Sequence, residues 1–143
     1  MKRITKSIIA VFTITTMLVS CSKDEASTDP TGNWNMDNLV VSQPNKALQT
    51  IDVDGDCTVK TNFNLKTGGT FQEGDVNPDT CEILVTDGSW KKNTTNSVEI
   101  TLDGVSQVFT IQSITSSKLV LRVTDLGPDA PAGAYIDLNF TKK

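Results

Sequence analysis

Few side chains in this sequence could carry out catalysis. There is no histidine, which excludes histidine-based triads and dyads and most catalytic zinc sites. Carboxylates remain, and a glycosidase would need two of them facing each other across a groove. The glutamates of the predicted folded region are Glu73, Glu82 and Glu99, and Glu99 alternates with apolar neighbours, so it should point outward. We expect solvated carboxylates and no enzyme activity.

A second candidate for chemistry is the acidic run at residues 52–56, which reads DVDGD. Hard cations such as Ca²⁺ gather carboxylate oxygens, so a calcium loop is one interpretation. The order differs from an EF-hand loop, because glycine occupies the fourth place rather than the sixth and Phe63 stands where the bidentate glutamate belongs. An acidic turn leading into the next strand also accounts for the run. We expect that turn, with no metal and no cofactor, and keep calcium binding as the alternative.

The thiol of Cys21 follows a segment with the features of an export signal. Basic residues at positions 2, 3 and 6 precede an apolar stretch over residues 8–19, and the chain then reads Leu-Val-Ser-Cys up to Cys21. That tetrapeptide resembles the lipobox of bacterial lipoproteins, which implies a signal peptide over residues 1–20 and a diacylglycerol thioether on Cys21. A spanning helix needs about 20 predominantly apolar residues, so a permanent anchor is the weaker interpretation. An ordinary signal peptide with a chance cysteine is the other alternative.

Lipid on Cys21 would leave an even number of thiols. Three cysteines leave one unpaired in an oxidising compartment, whereas setting Cys21 aside leaves Cys57 and Cys81. A disulfide between these two is the natural inference. Two buried free thiols are the alternative, because spacing alone does not show that the side chains meet.

The predicted mature chain is acidic. Cleavage before Cys21 leaves ten basic and 17 acidic residues, a formal net charge of −7. Nucleic-acid binding and an electrostatic hold on anionic lipid both depend on clusters of lysine and arginine. The overall charge therefore argues against both, and we expect the membrane attachment to come from the acyl chains on Cys21.

Residues 21–31 are predicted to be a lipidated, flexible tether, since they carry too little apolar surface to fold. Extended, ten residues would reach roughly 30 Å at about 3.4 Å each. The acidic stretch at residues 23–25, Lys-Asp-Glu, also resembles a surface-export signal of Bacteroidota lipoproteins. Solvated tether residues are an equal alternative.

The rest of the chain, residues 32–143, has a hydrophobic period of two, which predicts a succession of strands in one domain. Each strand has an apolar and a more polar face. The apolar faces comprise Cys57, Val59, Thr61, Phe63 and Leu65; Cys81, Ile83 and Val85; Val98, Ile100 and Leu102; Phe109 and Ile111; Leu119, Leu121 and Val123; and Ile136, Leu138 and Phe140.

Short connections join these strands, and Asp103-Gly104 is typical of a two-residue hairpin turn with positive φ at both positions. Sequential strands joined by short turns favour an all-β, antiparallel up-and-down meander. Such a sheet hides its edges by closing, and about eight strands make a barrel that is filled by side chains or holds one small ligand. A β-sandwich is the alternative fold.

Three short motifs give the domain a resemblance to the lipocalin-like domains of bacterial lipoproteins. Gly32-Asn-Trp34 opens the first strand as the family's Gly-x-Trp does, Thr-Gly-Gly-Thr-Phe follows at residues 67–71, and Gly88-Ser-Trp90 is similar to a second Gly-x-Trp. The resemblance implies a closed barrel with a Gly-x-Trp at its end. We expect the two glycines to permit close backbone approach and the two indoles to plug the barrel end, with ligand stacking as the alternative role for the indoles.

Together these observations predict an envelope lipoprotein, anchored to the outer membrane and facing the periplasm or the cell surface. The expected function is binding of a small apolar ligand, a glycan or an envelope protein by the barrel. A structural or assembly lipoprotein acting only through protein contacts is the alternative, and an enzyme comes third. No residue is assigned to a ligand at this level.

Overall fold

The computed structural model describes residues 27–143, so the predicted signal peptide and Cys21 lie outside the described residues. All regular elements in the described part are strands: β1 (Gly32–Ser42), β2 (Gln49–Ile51), β3 (Asn62–Leu65), β4 (Thr70–Val76), β5 (Ile83–Thr94), β6 (Ser97–Leu102), β7 (Val105–Ile114), β8 (Lys118–Val123) and β9 (Tyr135–Lys142). Within residues 27–143 the structure contains no helix of the length and apolarity needed to cross a membrane.

The strands form one antiparallel sheet that closes on itself. Their order is β2-β1-β3-β4-β5-β6-β7-β8-β9, and β1 also pairs with β9 along Trp34 to Ser42. Eight strands make the barrel, while β2 pairs beside β3 on the same edge of β1. The predicted up-and-down meander closed into a lipocalin-like barrel is confirmed, and the β-sandwich alternative is wrong.

The connections define two ends of the barrel. The turns at residues 66–69, 95–96 and 115–117 lie at one end, together with the start of β1 and the finish of β9. We call this the closed end. The connections at residues 43–48, 77–82, 103–104 and 124–134 lie at the other, the open end. The predicted Asp103-Gly104 hairpin is among them, with φ of 50° and 79° at its two residues.

The core fills the barrel next to the closed end. Alternate residues of each strand point inward, and the fully or nearly buried members form one cluster: Trp34, Met36, Phe63, Leu65, Phe71, Val98, Ile100, Leu119, Leu121 and Phe140. The ring of Phe63 lies 5.0 Å from that of Phe71, edge to face, and 5.0 Å from that of Phe140. Burial of several large aromatic and aliphatic side chains, each contributing about 1.5–3 kcal/mol, makes this half of the barrel its stable part.

Part of the predicted tether lies against the closed end. The Ser27 N–H donates to the Ile114 carbonyl, and the Lys92 ammonium donates to the Thr28 carbonyl. Pro30 is fully buried, and its carbonyl accepts a 2.8 Å bond from the Trp34 indole N–H. Residues 27–31 therefore cross beneath the barrel and cover the core from that side.

The segment between β2 and β3, residues 52–61, was expected to enter a strand at Cys57, but the strand begins only at Asn62. The carboxylate of Asp54, fully buried, organises this segment. One of its oxygens accepts the Thr61 N–H at 2.9 Å, and the other lies 3.4 Å from the Lys60 ammonium. The Thr61 hydroxyl in turn accepts the Val76 N–H at 3.2 Å. A buried carboxylate held by the Thr61 N–H and the Lys60 ammonium outweighs the local strand pattern.

A disulfide holds this segment against the open end. Cys57 and Cys81 are bonded with their Cα atoms 5.4 Å apart, which confirms the predicted pairing. Cys57 is buried, whereas Cys81 lies in the β4–β5 connection with φ of 57°. The bond therefore joins the segment that precedes β3 to the loop that follows β4.

Candidate binding site at the open end

The inward surface changes character from the closed end to the open end. Near the closed end the inward side chains are buried, and nearer the open end Val123 on β8 is still buried, but apolar inward side chains on β5 and β7 are exposed. Leu84 on β5 is 70% exposed and Val105 on β7 is 73% exposed. The register places both on the inward face, because Val105 pairs with core-facing Leu102 and Leu84 lies two residues from Thr86, the partner of Glu73. We call this accessible inward surface near the open end the cup; its exposed apolar side chains are Leu84 and Val105.

The β4–β5 hairpin extends beyond β6, the strand that pairs with β5 on its other edge. The pairing of β5 with β6 starts only at Gly88 and Leu102, so residues 83–87 pair with β4 alone among the described strands. Ile83 and Val85 face outward, opposite Val76 and Gly74. The sequence pattern grouped them as one apolar face, and that face points to solvent, with Val85 58% exposed.

An open groove of about 860 Å³ follows this hairpin. It is lined by residues 75–79 and 82–84, which bring two kinds of surface together. Ile83 and Leu84 supply exposed apolar surface, and the lining also includes the carboxylates of Asp75, Asp79 and Glu82. A groove of this composition can hold the apolar part of a small molecule and leave its polar part at the rim.

Glu73 is the ionisable group placed furthest inside the cup. It pairs with Phe63 on β3 and with Thr86 on β5, and because directly opposed residues share a face, it points inward like Phe63. Its side chain is half-buried. Desolvation, with a smaller effect from the charge of Asp75, raises the pKa of Glu73 above its ordinary value of 4.5. An inward carboxylate beside an apolar lining gives the cup a polar feature that could orient a ligand.

The raised pKa of Glu73 predicts a specific pH dependence of stability. The folded state binds a proton at Glu73 more readily than the unfolded state, so this group's effect on stability becomes unfavourable as the pH rises above about 4.5. We expect Glu73→Gln to gain stability relative to the parent protein between pH 4 and pH 7. Urea unfolding at several pH values measures the difference in the free energy of unfolding.

Glu99 is the control for this prediction, because its pKa is shifted in the opposite direction. Hydrogen bonds from Asn93 and Lys91 lower the pKa of Glu99 below its ordinary value of 4.5. Its contribution to stability is therefore present at neutral pH and lost as the pH falls through and below that value. Glu99→Gln should be less stable than the parent at pH 7 and approach it in acid. Parallel pH profiles for the two variants would contradict the inward placement of Glu73.

The indoles of both Gly-x-Trp motifs lie toward the closed end, away from the groove. Trp34 is fully buried and bonds to the Pro30 carbonyl, while half-buried Trp90 donates a 2.9 Å bond from its indole N–H to the carbonyl of Lys66 in the 66–69 turn. Gly32 has φ of 143°, and a Cβ there would lie 2.9 Å from the end of the Lys142 side chain. A Cβ on Gly88 would lie 2.2 Å from the Thr101 carbonyl oxygen. The indole bonds of Trp34 and Trp90 close the barrel at this end, whereas the Gly88 contact lies next to the 103–104 turn.

The other residues considered from sequence are dispersed. Glu82 lies at the groove, Glu73 inside the cup, and Glu99 on the outer face, 3.1 Å from the Lys91 ammonium. In the acidic run at residues 52–56, the Asp54 carboxylate accepts a hydrogen bond from the Thr61 N–H and lies 3.4 Å from the Lys60 ammonium. In the part of the chain that the structure describes, no three His, Cys, Asp or Glu side chains come together as metal ligands could. The sequence did not single out the groove, since its residues are unremarkable until the hairpin brings them together.

A closed, antiparallel, eight-stranded barrel of sequential strands is the architecture of a lipocalin-like domain. Residues 31–121 match the family model of the lipocalin-like domain. The chain therefore belongs to the lipocalin-like domain family. None of the curated proteins matches it.

Proposed function

We propose that this protein is a lipid-anchored binding module that takes a small apolar or amphipathic molecule into the open end of its barrel. The observation that carries the proposal is the change along the barrel axis from a filled core to an accessible lining. Leu84 and Val105 expose most of their surface on the inward face near the open end, and the half-buried carboxylate of Glu73 lies on the same inward face. Covering an exposed leucine contributes about 1.5–3 kcal/mol before the entropy cost of association is subtracted, so these side chains supply part of the free energy of binding an apolar molecule.

The cellular setting is proposed from the sequence. We infer that Cys21 carries the lipid, that residues 1–20 are removed, and that the domain resides in the cell envelope as an outer membrane lipoprotein of the Bacteroidota type, on the periplasmic or surface face. A disulfide between Cys57 and Cys81 suits an oxidising compartment. We assign the protein no catalytic function, cofactor or nucleic-acid partner.

A second candidate function is docking of an envelope protein. It is favoured by the outward apolar residues Ile83 and Val85 at a hairpin edge that no described strand covers. Such an edge can accept an added strand, and apolar side chains on its outer face would add contact area. This version corresponds to a structural or assembly lipoprotein.

Two neighbouring residues on β5 separate these functions. Leu84 points into the cup and Val85 points out, and both are exposed enough to accept a charge without unfolding the barrel. We expect Leu84→Asp to weaken binding of an apolar ligand by about tenfold or more, because it places a charge where apolar surface is covered. Val85→Asp should leave ligand binding unchanged. Calorimetric titration with fatty acids, lysophospholipids, haem-like compounds and glycans measures both.

The titrations decide between the proposals. If no member of the panel binds the parent protein, the small-ligand function is wrong. If an envelope extract yields a partner whose binding is lost in Val85→Asp and kept in Leu84→Asp, the protein-docking function replaces it. Equal thermal stability of the two variants is the control for folding.

A further inference from the structure

The charged side chains of the described residues are unevenly distributed between the two ends of the barrel. Five exposed lysines lie at or beside the closed end: Lys66, Lys92, Lys118, Lys142 and Lys143. Lys46 is the single lysine or arginine in the four connections of the open end, whose acidic residues are Asp79, Glu82, Asp103, Asp125 and Asp129. Lys60, in the segment held against this end, is paired with Asp54. The net negative charge of the chain therefore conceals a basic face.

Specific contacts keep these lysines at the closed end. Lys118 follows the 115–117 turn and pairs with Thr141. The Lys142 ammonium lies 5.1 Å from the centre of the Trp34 ring, and the Lys143 N–H donates to the Asn33 carbonyl at 2.9 Å. The Lys92 ammonium is held by the Thr28 carbonyl. The basic face thus surrounds the point where residues 27–31 lead toward Cys21.

The acidic side chains nearest to this face are already engaged within the chain. Each accepts a hydrogen bond from a neighbour: Asp29 from Thr31, Asp37 from Thr141, Asp87 from Gln72, and Glu99 from Asn93. Glu99 is also paired with Lys91, while Asp29 and Asp37 keep their negative charges; the five lysines outnumber these two exposed carboxylates at the closed end. The closed end of the described residues therefore carries a net positive charge toward an anionic surface.

The acidic residues of the open end lie too far from the closed end to cancel the attraction between its lysines and an anionic surface. β9 has eight residues, and at about 3.3 Å per residue with a tilt near 40° it spans roughly 20 Å along the barrel axis. The Debye length at physiological salt is about 8 Å. Acidic residues at the open end are therefore more than two screening lengths from a surface that touches the closed end.

We propose that the closed end of the barrel docks on anionic lipid headgroups, so that the open end faces away from the membrane. Docking itself rests on the lysines, and only the orientation of the anchored protein rests on the proposed lipid at Cys21. Five residues separate Cys21 from Ser27, and at about 3.4 Å each they allow at most roughly 20 Å between the acyl chains and the closed end. This tether keeps the lysines within reach of the headgroups.

The test uses the mature chain with Cys21→Ser, so that no lipid contributes. In flotation assays we expect it to bind vesicles of phosphatidylglycerol and phosphatidylcholine but not phosphatidylcholine alone, with binding lost as salt rises. Each of Lys66→Gln, Lys118→Gln and Lys142→Gln should lower the partition coefficient about fivefold. The corresponding arginine substitutions should retain binding, and Lys46→Gln at the open end is the matched control.

The outcomes separate this proposal from the proposed function. Equal binding to neutral and anionic vesicles, an effect of Lys46→Gln as large as that of Lys118→Gln, or tighter binding to soluble dextran sulfate than to the vesicles would overturn it. Failure of lipidation would appear separately, as loss of flotation of the parent protein with neutral vesicles. Failure of ligand binding would appear in calorimetry, which the lysine variants should leave unchanged.

Discussion

Replacement of Gly88 by alanine is expected to lower the free energy of unfolding by about 3 kcal/mol, as overpacking at a closed backbone contact does. A Cβ at this position would lie 2.2 Å from the Thr101 carbonyl oxygen and 2.8 Å from a Leu102 methyl group. Thr101 is held on both sides, by Ser89 on β5 and by Ser106 on β7. The backbone therefore cannot retreat without breaking the ladder that continues the barrel past β5. Urea unfolding of parent and variant measures the loss.

Gly74 on the adjacent strand is the matched control for this substitution. A Cβ there would approach the Asn62 side-chain amide to 2.6 Å, but that contact is with the end of a side chain that can rotate away. Gly74→Ala should therefore cost about 1 kcal/mol or less. If the two substitutions cost the same, the contact between Gly88 and Thr101 does not limit residue choice in β5.

Removal of the disulfide is expected to have a comparable effect. Cys57 and Cys81 are separated by 24 positions in the sequence, and closing a loop of that length stabilises a fold by about 3 kcal/mol through restriction of the unfolded chain. The double variant Cys57→Ala, Cys81→Ala should lose about that amount in urea unfolding under oxidising conditions. The parent with reducing agent should lose a similar amount.

The backbone at Cys81 supplies an internal control. Its φ of 57° lies in the left-handed region, where alanine costs about 1 kcal/mol and glycine costs little. The variant Cys57→Ala, Cys81→Gly should therefore be more stable than the double-alanine variant. The reverse order would show that the loop abandons this conformation once the bond is absent.

The strands near the closed end could be predicted because their two faces meet different surroundings. In β6, β8 and β9 the alternation of apolar and polar residues coincides with inward and outward, since neighbours on both sides complete the barrel wall. Leu119 and Leu121 are fully buried as the pattern indicates. For these elements period-two hydrophobicity and short turns contain nearly all the required information.

The pattern was less informative where a strand projects beyond its neighbours. In β5 the alternation places Ile83 and Val85 on one face, but only the register with β4 determines which face is inward. The same holds for Glu73, whose inward position depends on pairing with Phe63. The candidate site was therefore not readable from sequence, because a cup lining is a property of register and strand length together.

Amino-acid composition did not indicate how two polar segments, residues 27–31 and 52–61, are held in place. Residues 27–31 have little apolar surface, yet the carbonyls of Thr28 and Pro30 accept bonds from Lys92 and Trp34. Within residues 52–61, Asp54 similarly accepts a backbone N–H while fully buried. Both segments are fixed by hydrogen bonds to residues that composition does not connect with them.

The bond from the Lys143 N–H to the Asn33 carbonyl also makes this barrel a good subject for circular permutation. Lys143 lies beside the start of β1, so a linker along the closed end from Lys143 to Ser27 could join them without crossing the barrel wall and would keep Pro30 in place. New ends opened in the connection at residues 124–134 would move the point of attachment to the mouth. An anchored permutant would then present the barrel upside down, with its mouth toward the bilayer and its lysines toward solvent.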